Sequence, residues 1–362
     1  MHLLLDWPRL RAALCAGLLP LLWAAPACAW GQTESSVAAL SLNVVLDAYL
    51  TRIRAGPRSA TALSEGGHNA SLITLRGQDP LGGGLSSRFQ LEAGLSPLSG
   101  AGPGGGLQFN RVASLGLAGP WGQIDMGRQY TPMFLAVFGH DPFRLNAVFS
   151  PLHLMGSLDA QAGQQAFAAR SNGLLRYRSP SVTGQPWALD LAWASGTGAG
   201  SGAGSGLRGA ALSWQQTPLS LSYARQQAAN LVPSGGHSLH QALSASWRQP
   251  GRSLHAHLMH LGNSQPGQAS ARVLALGLQQ GLGPHSSALI EAAWRRVEHS
   301  PRAQQALSLG LDHHLAPRTR LYARWMVLNN RADASATLGG VSIPLDSGLD
   351  LRLLGLGLRQ DF

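Results

Sequence analysis

The sequence predicts an all-β fold: a closed, 16-stranded antiparallel transmembrane β-barrel with a long third loop folded into the lumen. Three observations carry this. Short runs alternate apolar and polar residues with period two, as strands do and helices do not. The connections between runs alternate between tight Pro- or Gly-rich turns and longer loops. After residue 30 no apolar run approaches the roughly 18 residues of a membrane helix. An exported chain of this kind can cross a bilayer only as a closed barrel, where every backbone group is paired.

The chain begins with a secretory leader over 1–29. Arg9 and Arg11 form its positive end, Ala12 to Trp23 its apolar centre, and Ala27-Cys28-Ala29 its cleavage site. The domain plan is therefore leader 1–29, then one barrel over 30–362. Cys15 and Cys28, the only cysteines, fall in the leader, so the exported chain has no disulfide or thiol chemistry. Charged residues make up 12% of the chain, against about 25% in soluble domains. All 27 basic residues are arginine, and losing Arg9, Arg11 and Asp6 with the leader takes the net charge from +10 to +9.

Sixteen runs read as strands: 39–51, 67–77, 84–95, 107–117, 120–128, 172–180, 186–196, 206–216, 217–227, 237–249, 251–263, 270–281, 285–297, 303–313, 316–329 and 349–362. In 85–93, Phe89, Leu91 and Ala93 share one face, opposite Ser86, Arg88, Gln90 and Glu92. In 170–178, Arg170, Asn172, Arg176 and Arg178 oppose Leu175 and Tyr177. In 318–327, Arg318, Arg320 and Arg324 oppose Leu321, Ala323, Trp325 and Val327. Leu354, Leu356, Leu358 and Phe362 share the apolar face of the last run.

Turns such as Gly119-Pro120-Trp121-Gly122 and Gln249-Pro250-Gly251 are tight, whereas 52–66, 96–106, 129–171, 197–205 and 330–348 read as long loops. The Gly/Ser repeat at 196–206 reads as a flexible surface loop. The segment after residue 128 is long for a connection within a compact domain, and such loops are usually functional or disordered. In a barrel it can fold inward and narrow the lumen.

Arginine rows in a lumen lower the barrier to anions, and facing carboxylates set up a transverse field. Alternation places Arg76, Arg88, Arg170 and Arg176 toward the lumen with Arg178, Arg318, Arg320 and Arg324. Arg111 and Arg128 share faces with apolar neighbours, so alternation alone points them outward. Of the acids in the long loop, Asp141 and Asp159, Asp141 is expected to face the arginines. His255 and His257 share a strand face near His260, but no third ligand stands at a usable spacing, so no metal and no cofactor is expected. No nucleophile elbow or zinc-protease helix motif is present.

Several motifs stand in order: Arg76-Gly77, Leu81-Gly82-Gly83-Gly84, Phe89-Gln90-Leu91-Glu92, Phe109-Asn110-Arg111, Leu115-Gly116-Leu117, Gly127-Arg128-Gln129-Tyr130-Thr131-Pro132, Asp141-Pro142-Phe143 and Ser179-Pro180. Gly357-Leu358-Arg359 and Phe362 end the series. Together they resemble the trimeric Gram-negative porins of the β-proteobacterial general-diffusion type. Departures are Ser71-Leu72-Ile73-Thr74 where an arginine-bearing motif is usual, Asn43 for a tyrosine and Gln360 for a histidine.

The resemblance implies an outer-membrane porin, not an enzyme: a homotrimer that passes small hydrophilic or anionic solutes by passive diffusion. It implies a third loop at 129–169 within the pore and a constriction involving Arg111 beside Arg76, Arg88, Arg170, Arg176 and Asp141. Phe362 takes the place of the family's signal to the outer-membrane assembly machinery. Basic surface charge also suits contact with lipopolysaccharide and outer-membrane lipid, and no nucleic-acid partner is expected. A plugged structural or adhesive barrel, or a barrel enzyme with its site at the rim, are the alternative classes.

Overall fold

The computed structural model describes residues 39–102, 106, 108–153, 169–195, 206–229, 236–264, 269–332, 334 and 348–362. The leader, Asp159 and most of the Gly/Ser repeat lie outside the described residues. The strands are β1 (Ala39–Ala55), β2 (Arg58–Glu65), β3 (Leu72–Gly82), β4 (Leu85–Gly94), β5 (Val112–Gly119) and β6 (Gly122–Tyr130). The helix α1 (Pro132–Phe138) follows. Then come β7 (Arg170–Arg178), β8 (Trp187–Ala194), β9 (Leu207–Gln216), β10 (Leu219–Ala229), β11 (His237–Gln249) and β12 (Arg252–Asn263). The chain ends with β13 (Ala271–Gly281), β14 (Ser286–Val297), β15 (Ala303–Ala316), β16 (Thr319–Arg331) and β17 (Leu351–Asp361).

From β3 onward each strand pairs antiparallel with the next, and β1 closes the sheet on β17 from Val45–Asp361 to Ala55–Leu351. The upper part of β1 pairs with β2 and its lower part with β3. These two segments are one barrel strand interrupted at 66–71, which makes a closed barrel of 16 strands.

This corrects the reading of 52–66 as a loop. β1 runs on to Ala55 and turns tightly at Gly56-Pro57 into β2. Arg52 and Arg54 stand on the exposed face there, and Ile53 is buried. That polarity is the reverse of a lipid-facing strand, so the usual pattern gives no signal. The break at 66–71 has a local cause. The Asp47 carboxylate accepts backbone N–H groups of Gly67 (3.0 Å), His68 (3.1 Å) and Asn69 (3.1 Å), and the hydroxyl of Tyr322 (2.6 Å). Those amides are held by a side chain and so drop out of the ladder.

The barrel is apolar outside and polar within. Leu115, Leu117, Ile124, Met126, Leu175 and Trp193 are exposed, whereas Asp125, Arg176, Glu291, Asp312 and Arg324 are buried. On β14 the two sets alternate, with Ile290, Trp294 and Arg296 out and Glu291, Ala293 and Arg295 in.

The segment after β6 lies against the polar face. Thr131 caps α1, its Oγ1 accepting from Phe134 N at 3.3 Å, and Pro132 fills the first turn, where no N–H is needed. The buried side of α1, Pro132, Met133 and Val137, packs toward β9 and β10. Beyond it, His140 bonds Ser220 (3.1 Å), His257 donates to the His140 carbonyl (3.1 Å) and Arg248 donates to that of Gly139 (2.6 Å). Asn146 donates to the Gly66 carbonyl at 2.8 Å, tying this segment to the break in the second strand. Phe149 meets Tyr49 edge-on at 5.7 Å.

An arginine on the outer face at mid-bilayer costs about 2–4 kcal/mol. Leu115→Arg, on that face of β5, is therefore expected to lower the unfolding free energy in lipid vesicles by about that amount. Urea titration followed by tryptophan fluorescence measures it.

Candidate functional site

A cavity of about 980 Å³ lies between the strands β3–β7 and the segment that carries α1. Seven arginines line it (Arg76, Arg88, Arg111, Arg144, Arg170, Arg176 and Arg178), against three carboxylates (Glu65, Glu92 and Asp125); with Asp190 paired to Arg176 from outside the lining, three positive charges are left in excess.

Five of the arginines come from alternate positions on strands, Arg76 on β3, Arg88 on β4 and Arg170, Arg176 and Arg178 on β7, while Arg111 stands in the bend before β5 and Arg144 in the loop after α1. Arg88 reaches one oxygen of Asp125 at 3.3 Å and Arg178 the other at 2.8 Å. Arg111 donates through Nε to Glu92 (2.8 Å) and through Nη2 to the Tyr130 hydroxyl (2.7 Å), which itself donates to Glu92 (2.9 Å). Arg176 grips Asp190 with two N–H groups, one at 2.8 Å, the two-pronged geometry that a guanidinium and a carboxylate favour. Arg170 lies over the Tyr130 ring at 5.2 Å. Arg76 is exposed in the cavity and has no ion-pair partner among the described residues.

The expected residues thus divide into groups. Arg76, Arg88, Arg111, Arg170, Arg176 and Arg178 line one cavity. Arg111 does so despite its parity because it stands in the bend before β5, outside the regular alternation. Arg128 is not in the lining: it bonds the Asn110 carbonyl and Asn172 beside a bulge at Gly127–Gln129. Asn172 therefore does not join Arg170 and Arg176 in the cavity.

Arg320 and Arg324 form a second cluster on Asp312. Arg324 donates to it at 2.7 Å, Arg320 stands at 4.0 Å and His68 at 3.4 Å. Arg318 belongs to neither group: it is exposed in the turn before β16. The Pro317 turn takes up residues that a period-two reading counts as strand.

Asp141 does not face the arginines. It is 3% exposed and accepts from Phe143 N (2.9 Å), Leu145 N (2.6 Å) and the Ser150 hydroxyl (2.7 Å), pinning its own loop. Burial raises its pKa, while these hydrogen bonds act in the opposite sense. The carboxylates that meet the arginines of these two clusters, Glu92, Asp125, Asp190 and Asp312, are strand residues. Their signal is present in the alternation, since Glu92 shares the Arg88 face of its strand. Among the described residues no group of three or more His, Cys, Asp or Glu is placed to hold a metal. His255 and His257 spend their ring nitrogens on Ser246, Ser253, Ser244 and the His140 carbonyl.

The sequence matches the Gram-negative porin family over residues 12–333. The chain belongs to the Gram-negative porins. Outer membrane porin protein 32 of Delftia acidovorans is 28% identical over 319 residues, covering 85% of this chain and 87% of that one. An outer membrane porin protein of Bordetella pertussis is 31% identical over 140 residues, 38% of this chain and 34% of that one. Among solved structures, the anion-selective porin from Comamonas acidovorans superposes with a TM-score of 0.81 at 21% identity, over 90% of this chain and all of the other. OmpT of Vibrio cholerae in its trimer form superposes at 0.66 and 10% identity, with 90% of this chain and all of that one covered. This porin is an outer-membrane channel and not an enzyme.

Asp141→Ala removes the acceptor for three donors at the loop's turn, each about 1–3 kcal/mol when buried and unpaired. Open-channel current noise in planar bilayers is expected to rise above wild type, with the folded band retained on unheated gels.

Proposed function

We propose that this porin is a water-filled channel for passive diffusion of small hydrophilic solutes that prefers anions. The single observation that carries this is the charge of its cavity, seven arginines to three carboxylates. Carboxylates neutralise Arg88, Arg178 and Arg111 in part, and hold their guanidinium groups in place. Arg76, Arg144 and Arg170 supply the excess charge. Two unit charges about 4 Å apart in water interact by about 1 kcal/mol, so a few uncompensated guanidinium groups suffice to bias chloride over potassium.

In this reading the segment 129–169 is the inward loop that narrows the pore. Arg76, Arg88, Arg111, Arg170 and Arg176 form its constriction, and Asp141 holds the loop's shape. Arg178, Arg320 and Arg324 act as lumen charges. The functional unit is a homotrimer, in keeping with the trimer form of its fold relative OmpT. Residues 1–29 are the export leader, Phe362 is the signal to the assembly machinery, and outward arginines such as Arg272 and Arg296 meet lipopolysaccharide. A lumen that retains about 980 Å³ favours a channel over a plugged barrel.

Single-channel recordings under a KCl gradient test this. Stepwise openings with an anion-signed reversal potential are expected. Arg76→Gln should lower the chloride-to-potassium permeability ratio by roughly twofold to fivefold, since one unit charge at such distances is worth up to about 1 kcal/mol. A cation-signed potential in wild type would refute the selectivity.

A further inference from the structure

The wall facing into the cavity from the loop is aromatic. Tyr130, Phe134 and Phe138 stand four residues apart, the spacing of one helix face. Their rings stack in sequence: Tyr130 on Phe134 at 5.0 Å and 17°, then Phe134 on Phe138 at 5.7 Å and 27°. A guanidinium covers each end of the row, Arg170 over Tyr130 and Arg144 over Phe138, both at 5.2 Å. The opposite side of α1, Pro132, Met133 and Val137, is the buried one. Phe134 and Phe138 are half-buried: they pack in part against the apolar core and in part line the polar cavity.

We propose that this row is an aromatic subsite for anions that carry a flat aromatic ring, with benzoate the simplest member. Stacking and the two guanidinium groups take up the ring faces, so the edges of Phe134 and Phe138 are what the row offers the cavity. The ring of such a solute lies across them edge-to-face, an arrangement in which aromatic pairs gain contact energy beyond burial alone. Its carboxylate meets the guanidinium of Arg170 one ring away, or that of Arg76 across the cavity. Among the described residues Arg170 makes one long side-chain bond, 3.4 Å to the Tyr130 hydroxyl, and a guanidinium has five donors. The inference rests on the porin reading and gives its channel a solute class.

The test compares benzoate with cyclohexanecarboxylate, equal in charge and near in size but not flat. Each is added to single wild-type channels conducting KCl. Benzoate is expected to dwell roughly threefold to tenfold longer per current block, the range that one aromatic pair supplies. The Phe134→Leu/Phe138→Leu channel, with apolar volume retained, is expected to block equally with both. Equal dwell times in wild type, or a benzoate preference that survives the double replacement in a folded channel, overturn the subsite and leave the porin intact. Absence of KCl conductance from folded protein overturns both. The wild-type comparison decides the question even where the double variant does not fold.

Discussion

Backbone amides inside a bilayer have no water to bond, and this shortage governs the rest of the structure. A sheet that crosses must have no edge, so β1 must find β17 across the whole length of the chain. The seam is locked at its lower end, where Phe362 N donates to Val44 O at 2.8 Å and Asn43 donates to the Phe362 carbonyl at 3.0 Å. Closure then dictates polarity. With lipid outside and water inside, period two carries leucine to one face and arginine, serine and histidine to the other. Most charged groups of the lumen are those that alternation carries inward; Arg111 in its bend and Arg144 in the loop reach the cavity by another route.

The enclosed face in turn supplies anchors for a loop. Segment 131–153 is held by Ser220, Arg248 and His257 on one side and by the Gly66 carbonyl and Tyr49 on the other. Asp141 and Asn146 spend their side chains on its internal turns and its docking. The loop therefore contributes shape and aromatic surface to the cavity, while the strands contribute its ion pairs. Arginine and carboxylate on neighbouring strands can meet in fixed registry, as Arg176 and Asp190 do, because the ladder sets their separation.

Much of this is legible in the sequence because period two is a strong constraint. Strands β9 to β14 fall within two or three residues of the runs read from alternation. The cavity arginines Arg76, Arg88, Arg170, Arg176 and Arg178 follow from the same rule. The failures share one cause, departure from regular alternation. Arg111 sits in a bend, Arg318 in a turn, and 52–66 in a hairpin whose polarity is reversed. Asp141 misleads for another reason: a lone acid in a loop looks the same in sequence whether it faces cations or accepts the loop's own amides. The stacking of Tyr130, Phe134 and Phe138 is equally hidden, since their spacing matters only once 132–138 is known to be a helix.

Anomalous diffraction from crystals soaked in bromide tests most directly whether the arginine excess makes the lumen an anion path. The account predicts bromide sites along the cavity wall at Arg76, Arg170 and the Arg88–Arg178 pair. Bromide bound only at outward arginines such as Arg272 and Arg296, with the cavity empty of it, would contradict the account.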